Sequence, residues 1–128
     1  MKSNSLRMKQ LTKAEEDIMQ ILWDLGEANV AAIIDELPKP KPAYNTVSTI
    51  VRILENKEFV DYRREGRGHI YFPIIPKAEY SNQSINKLVD GYFKGSFKSM
   101  VSFFVKENDV NINELEAILK EVNKEKKS

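Results

Sequence analysis

The sequence has no cysteine, one histidine and one tryptophan in 128 residues. Without thiols there is no disulfide, no thiolate metal site and no cysteine nucleophile, and the composition agrees with a reducing compartment. No apolar run approaches the ~18 residues of a membrane helix. The start, Met1 to Leu6, lacks the apolar core of a signal peptide. Together these set the expectation of a cytoplasmic chain without membrane insertion. A glycine-rich phosphate loop, a metal-ligand cluster and a nucleophile elbow are also missing from the sequence. The paired acids Glu15 and Glu16 fall where a helix starts and its dipole favours negative charge. Neither an enzyme nor a cofactor or metal site is expected.

Apolar residues make up 41% of the chain, enough for a core and too many for a disordered segment. The length fits one domain, or a small domain with an appendage. The net charge of +1 is uninformative, but its distribution is not. Leu11 to Leu37 holds one base, Lys13, against seven acids, whereas Lys39 to Phe72 holds seven bases against four acids. A localised basic region is the usual footprint of nucleic-acid binding, although scattered surface charge produces the same counts.

Met1 to Gln10 is polar, without periodicity, and expected to fray. Thr12 with Glu15 makes a capping box that opens a first helix with the stripe Ile18, Ile21, Leu22 and Leu25, ended by Gly26. Asn29 caps a second helix with the stripe Val30, Ile33, Ile34 and Leu37. Trp23 lies off the first stripe and is expected to be partly buried against a neighbour. Pro38-Lys39-Pro40-Lys41-Pro42 ends the second helix and holds an extended link. Its lysines serve either as loop solubilisers or as phosphate contacts.

The third helix, residues 43–57, organises the reading. Val47, Ile50, Val51 and Leu54 form one apolar stripe. Asn45, Ser48, Thr49, Arg52 and Asn56 point the other way. Solvated helix faces more often carry Glu and Lys, the better helix formers. Short donor-and-acceptor side chains with one arginine suit base edges and phosphates in a DNA groove. Phe59 to Arg64 and His69 to Phe72 then read as two strands, joined by a turn at Glu65-Gly66-Arg67-Gly68. Pro73 and Pro76 end this hairpin, whose tip is basic.

Three short amphipathic helices and a basic hairpin are the order of a winged helix-turn-helix, in which the third helix enters the major groove of duplex DNA and the hairpin lies against the backbone or minor groove. Asn45, Thr46, Ser48, Thr49 and Arg52 are the candidate base-facing residues, with Arg52 nearer the backbone. Lys39, Lys41, Tyr44, Arg63, Arg64 and Arg67 are the candidate backbone and wing contacts. Tyr44, just ahead of the helix, serves either as a phosphate contact or in packing. His69, on a hairpin strand, is expected near phosphate rather than as a general base. A winged helix that binds only protein is the alternative.

The last third carries three further stripes: Ile85, Leu88, Val89 and Tyr92; Phe97, Met100, Val101 and Phe104; Leu115, Ile118, Leu119 and Val122. Asn111 with Glu114 caps the last of these helices. A helical unit of about fifty residues seldom closes a core alone. These faces are therefore expected to pair with the same segment of a second copy, the alternative being the chain's own N-terminal domain. The expected fold is mainly α with a small β-hairpin: a winged-helix domain over residues 1–75 and a three-helix dimerisation domain over 76–128.

The chain resembles the penicillinase repressor family, which comprises the β-lactamase and methicillin-resistance repressors and their copper-responsive relatives. The matching pieces are Leu11 to Glu15 leading to Ile21-Leu22-Trp23-Asp24; Tyr44 to Thr49 through Arg52-Ile53-Leu54; Lys57 to Val60; and Phe97 to Val101. They span roughly residues 10–125. The resemblance implies a homodimeric repressor on a palindromic operator, released when a membrane sensor-transducer protease cuts its C-terminal domain. Some members carry Arg where Ser48 stands, which bears on base preference. The cut bond in the β-lactam-responsive members follows an Asn before a Phe, and the matching pair here is Phe103 and Phe104. The copper-sensing branch uses cysteine ligands that this chain lacks.

Overall fold

The computed structural model describes residues 9–127. The non-periodic start expected over Met1 to Gln10 lies, apart from Lys9 and Gln10, outside the described residues. The element order is α1 (Lys13–Leu25), α2 (Val30–Glu36), α3 (Tyr44–Asn56), β1 (Val60–Glu65), β2 (Gly68–Pro73), α4 (Lys77–Tyr92), α5 (Phe97–Glu107) and α6 (Ile112–Lys127). These group into two compact units, Met1–Ser84 and Ile85–Ser128.

In the N-terminal unit the expected caps are in place. Thr12 Oγ1 accepts the Glu15 N–H at 3.2 Å, and Glu15 Oε1 accepts the Thr12 N–H at 3.0 Å. Gly26 turns the chain at φ 86° and donates to the Leu22 carbonyl at 2.8 Å. Asn29 Oδ1 accepts the Ala32 N–H at 2.8 Å. Ile18 and Leu22, Val30 and Ile33, and Val47, Val51 and Leu54 bring α1, α2 and α3 onto one core.

The α1 stripe differs from expectation by one face. Met19 is fully buried, whereas Leu25 is 45% exposed. The core-facing line is Glu15, Ile18, Met19 and Leu22, with an acid as its first member. Glu15 faces inward because Lys57, just past α3, meets it there, Nζ to Oε1 2.7 Å. Burial pushes the Glu15 carboxyl up, but Lys57 and the Thr12 amide outweigh it and hold the group below its ordinary value.

α3 ends where expected, at Asn56 with Lys57 as its cap, but by a device that no glycine marks. Glu58 sits in the left-handed region at φ 66°. The Glu58 N–H reaches the Glu55 carbonyl at 3.0 Å and the Phe59 N–H reaches that of Leu54 at 2.9 Å, which is a Schellman stop built without glycine. Phe59, expected as the first strand residue, is instead the plug after this stop and is fully buried.

β1 and β2 pair antiparallel from Val60 opposite Pro73 to Glu65 opposite Gly68. Gly66, at φ 62°, takes the first of the two central turn positions. Ala28 adds a bridge to Tyr71 through two backbone bonds of 2.8 and 2.9 Å, which ties the hairpin to the link between α1 and α2. Trp23 is partly buried, as expected; its Nε1–H donates to the Ile75 carbonyl at 2.8 Å.

The unit boundary falls inside α4, later than the expected 75/76 division. The reason is Tyr80. Its ring is buried, 5.5 Å edge-on from Phe59. Its hydroxyl donates to Glu16 Oε2 at 2.7 Å and accepts the Leu11 N–H at 3.3 Å.

In the C-terminal unit, Ser96 caps α5 through the Ser99 N–H at 3.0 Å, and Asn111 caps α6 through the Glu114 N–H at 3.1 Å. Of the expected pairing residues, Val89 is buried within the chain. Ile85, Leu88, Tyr92, Phe97, Phe104, Ile118, Leu119 and Val122 are all exposed. Met100, Val101 and Leu115 are half-buried. Leu88, Tyr92, Phe93, Met100, Phe104 and Leu115 help to line an open apolar hollow of about 790 Å³.

Candidate nucleic-acid interface

The rotational setting of α3 follows from its inner face. With Val47, Val51 and Leu54 fully buried, Asn45, Thr46, Thr49, Arg52 and Asn56 are left exposed and Ser48 half-buried. Ala43 makes no side-chain cap bond, as expected of an alanine there. Tyr44, expected just ahead of the helix, is its first helical residue and is 59% exposed. Tyr44, Ser48 and Arg52 share the border of one cleft of about 270 Å³ with Arg67 and His69 of the hairpin. The structure thus brings the polar face of α3 and the tip of the hairpin to a common surface.

The basic candidates do not all stand alike. Arg63 is held by Glu27 in a two-pronged pair, 2.7 and 2.9 Å, with Glu65 at 3.6 Å. Glu27 in turn has its carboxyl held below the usual range by that guanidinium. Register places Arg63 opposite Ile70, whereas Arg64 lies opposite His69. Because alternate strand residues face opposite ways, Arg63 and Arg64 project from opposite sides of the hairpin. Arg52, Arg64 and Arg67 are exposed and have no ion pair among the described residues. Lys41 is turned back on α2, its Nζ donating to the carbonyls of Ile34, Asp35 and Leu37 at 3.1, 2.9 and 2.5 Å. That is a C-terminal cap for a helix with no base in its last turn. Lys39 is exposed.

With this geometry, the sequence profile of the family described as "Penicillinase repressor" matches residues 11–124. The chain belongs to the penicillinase repressor family. Among its relatives it is similar to the penicillinase repressor of Bacillus licheniformis, at 28% identity over 94% of this chain and 98% of that one. It is similar to the methicillin resistance regulatory protein MecI of Staphylococcus aureus strain N315, at 25% identity over 90% of this chain and 94% of that one. Among solved structures it is similar to the DNA binding domain of the repressor BlaI, with a TM-score of 0.51 and 28% identity, covering 57% of this chain and 90% of that domain. The N-terminal unit is accordingly a winged helix, with α1 to α3 as the helical part and β1–β2 as the wing. Among the described residues no helix is long and apolar enough to cross a membrane.

Sequence reasoning missed what positions this surface. Lys57, Tyr80 and Glu27 lie outside the cleft between α3 and the wing, yet they fix the C-terminal end of α3, the first turn of α4 and one wing arginine. Each acts through a partner 36 to 64 residues away. The one local signal was in the wing, where His69 and Tyr71 alternate with Ile70 and therefore share a face.

Proposed function

We propose that the chain is a sequence-specific transcriptional repressor that binds a palindromic operator as a homodimer and acts by occupying promoter DNA. The observation that carries this reading is the outward face of α3, short amides and hydroxyls with a single guanidinium, set beside a wing with two uncompensated arginines. α3 enters the major groove, where Asn45, Thr46, Ser48 and Thr49 meet base edges and Arg52 meets the adjacent backbone. Arg64 and Arg67 hold phosphates, with Lys39 and Tyr44 near the start of α3. Arg63 and Lys41 contribute less, because their charges already serve Glu27 and the end of α2.

Pairing is supported by the apolar side chains that the C-terminal unit leaves uncovered, since clustered exposed apolar residues mark interaction surfaces. Two-fold pairing sets half-sites about one turn of DNA apart, or a multiple. Release follows from a cut near Phe103 and Phe104, by a membrane sensor-transducer protease like those the family resemblance implies. Both side chains are exposed, but the bond lies inside α5, so cutting requires local opening of that helix.

Selection of bound duplexes from a random pool, followed by sequencing, tests the reading. An enriched inverted repeat is expected. Equal recovery of all sequences would leave the alternative, a winged-helix protein-interaction module without sequence-specific DNA binding.

A further inference from the structure

The cleft between α3 and the wing holds the only histidine of the chain. His69 is half-buried there, with its ring 4.4 Å from that of Tyr62 at an interplanar angle of 31°. Its Nδ1 lies 3.5 Å from the Tyr71 hydroxyl. The imidazole is thus held on one face and at one nitrogen, and Nε2 has no partner among the described residues.

The surrounding charges are one-sided. α3 contributes Tyr44, Ser48 and Arg52 to the cleft; the wing contributes Arg67, Tyr71 and His69 itself. Arg64 stands directly across the strand pair from His69. The link before α2 and its first turn contribute Asn29, Val30 and Ala31, none of them titratable. Glu55, one turn beyond Arg52, acts electrostatically on Tyr71 but does not line the cleft. Glu27 is engaged by Arg63 on the opposite side of the hairpin. No acid lines the cleft itself.

We propose that this cleft seats one backbone phosphate diester of the duplex, and that His69 grips it as the imidazolium, so that DNA binding takes up a proton. The inference rests on the DNA-binding reading and deepens it, by making operator occupancy respond to pH near neutrality. Imidazole is the side chain whose charge changes in that range, and this chain has one imidazole and no thiol. A phosphate contact carries no base identity, so the effect appears on any duplex.

The test measures the affinity of the full chain for a fluorescent duplex of arbitrary sequence, at pH 6 and pH 8 and constant ionic strength. Native protein should bind about threefold to tenfold more tightly at pH 6, inside the roughly hundredfold ceiling that uptake of one proton sets over two pH units. His69→Gln, which cannot take up a proton, should lack the gain at pH 6 and bind with one affinity at both pH values. His69→Arg, charged at both values, should bind alike at both. The proton resonances of the His69 ring should titrate at higher pH in the complex than in the free protein. Equal pH dependence in native and His69→Gln protein, with an unchanged ring titration, overturns this inference and leaves the DNA-binding reading standing. No binding to any duplex at either pH overturns both.

Discussion

At the residue scale, two positions have consequences opposite to what their chemistry suggests in isolation. Glu15 is a carboxylate in the core line of α1, stabilised only because Lys57 and the Thr12 amide reach it. Its folded value is depressed, so its contribution is complete above the ordinary carboxyl value of 4.5 and fades as pH falls through the lower folded value. Lys57→Met should cost about 1–3 kcal/mol at neutral pH, since it strands a buried acceptor. The same variant should lose less further stability than native protein on acidification. Thermal melts of both proteins from pH 7 to pH 3 check this. Glu58 is the converse case, a charged residue where only backbone geometry matters. Glu58→Gly should raise stability by about 0.5–1 kcal/mol, because a side chain in the left-handed region is strained and glycine is not. Urea unfolding measures that gain.

At the scale of elements, the sequence was legible wherever a side chain caps or stripes its own helix. Thr12, Gly26, Asn29 and the α3 stripe could be read because their partners lie within seven residues. The α1 stripe was misread because it begins with an acid whose partner is 42 residues away. The end of α3 was legible, but the left-handed Glu58 that makes its stop and the burial of Phe59 were not, because no glycine marks the turn. The candidate interface divides in the same way. The polar face of α3 was legible from periodicity, but the unequal worth of the wing arginines was not, since Glu27 lies 36 residues from Arg63. That inequality yields a prediction. Arg64→Gln and Arg67→Gln should each reduce the slope of log affinity against log salt by about one, and Arg63→Gln by clearly less. Titrations of duplex binding at several salt concentrations decide it, and equal slopes for all three variants would count against the assignment. Asn45→Ala, on the base-facing side, should instead lower affinity for the selected sequence by about 1–3 kcal/mol and leave binding to arbitrary duplexes nearly unchanged.

At the scale of the molecule, the two units present different surfaces to water. The N-terminal unit closes its core around Phe59 and Met19, while the C-terminal unit leaves Tyr92, Phe97, Phe104 and Leu119 each more than half exposed. Leu119→Glu should therefore yield a monomer with an unaltered N-terminal unit. Sedimentation at micromolar concentration should show a single chain, and affinity for an inverted repeat should fall to that of its separate half-sites, without the effective concentration that linkage supplies. The hollow bordered by Leu88, Met100 and Leu115 carries one more consequence. On the proposed pairing these side chains shed water only on meeting a twin, so the melting temperature should climb with protein concentration. A fall in the protein's concentration would, on this account, loosen its architecture and its hold on a promoter in the same stroke.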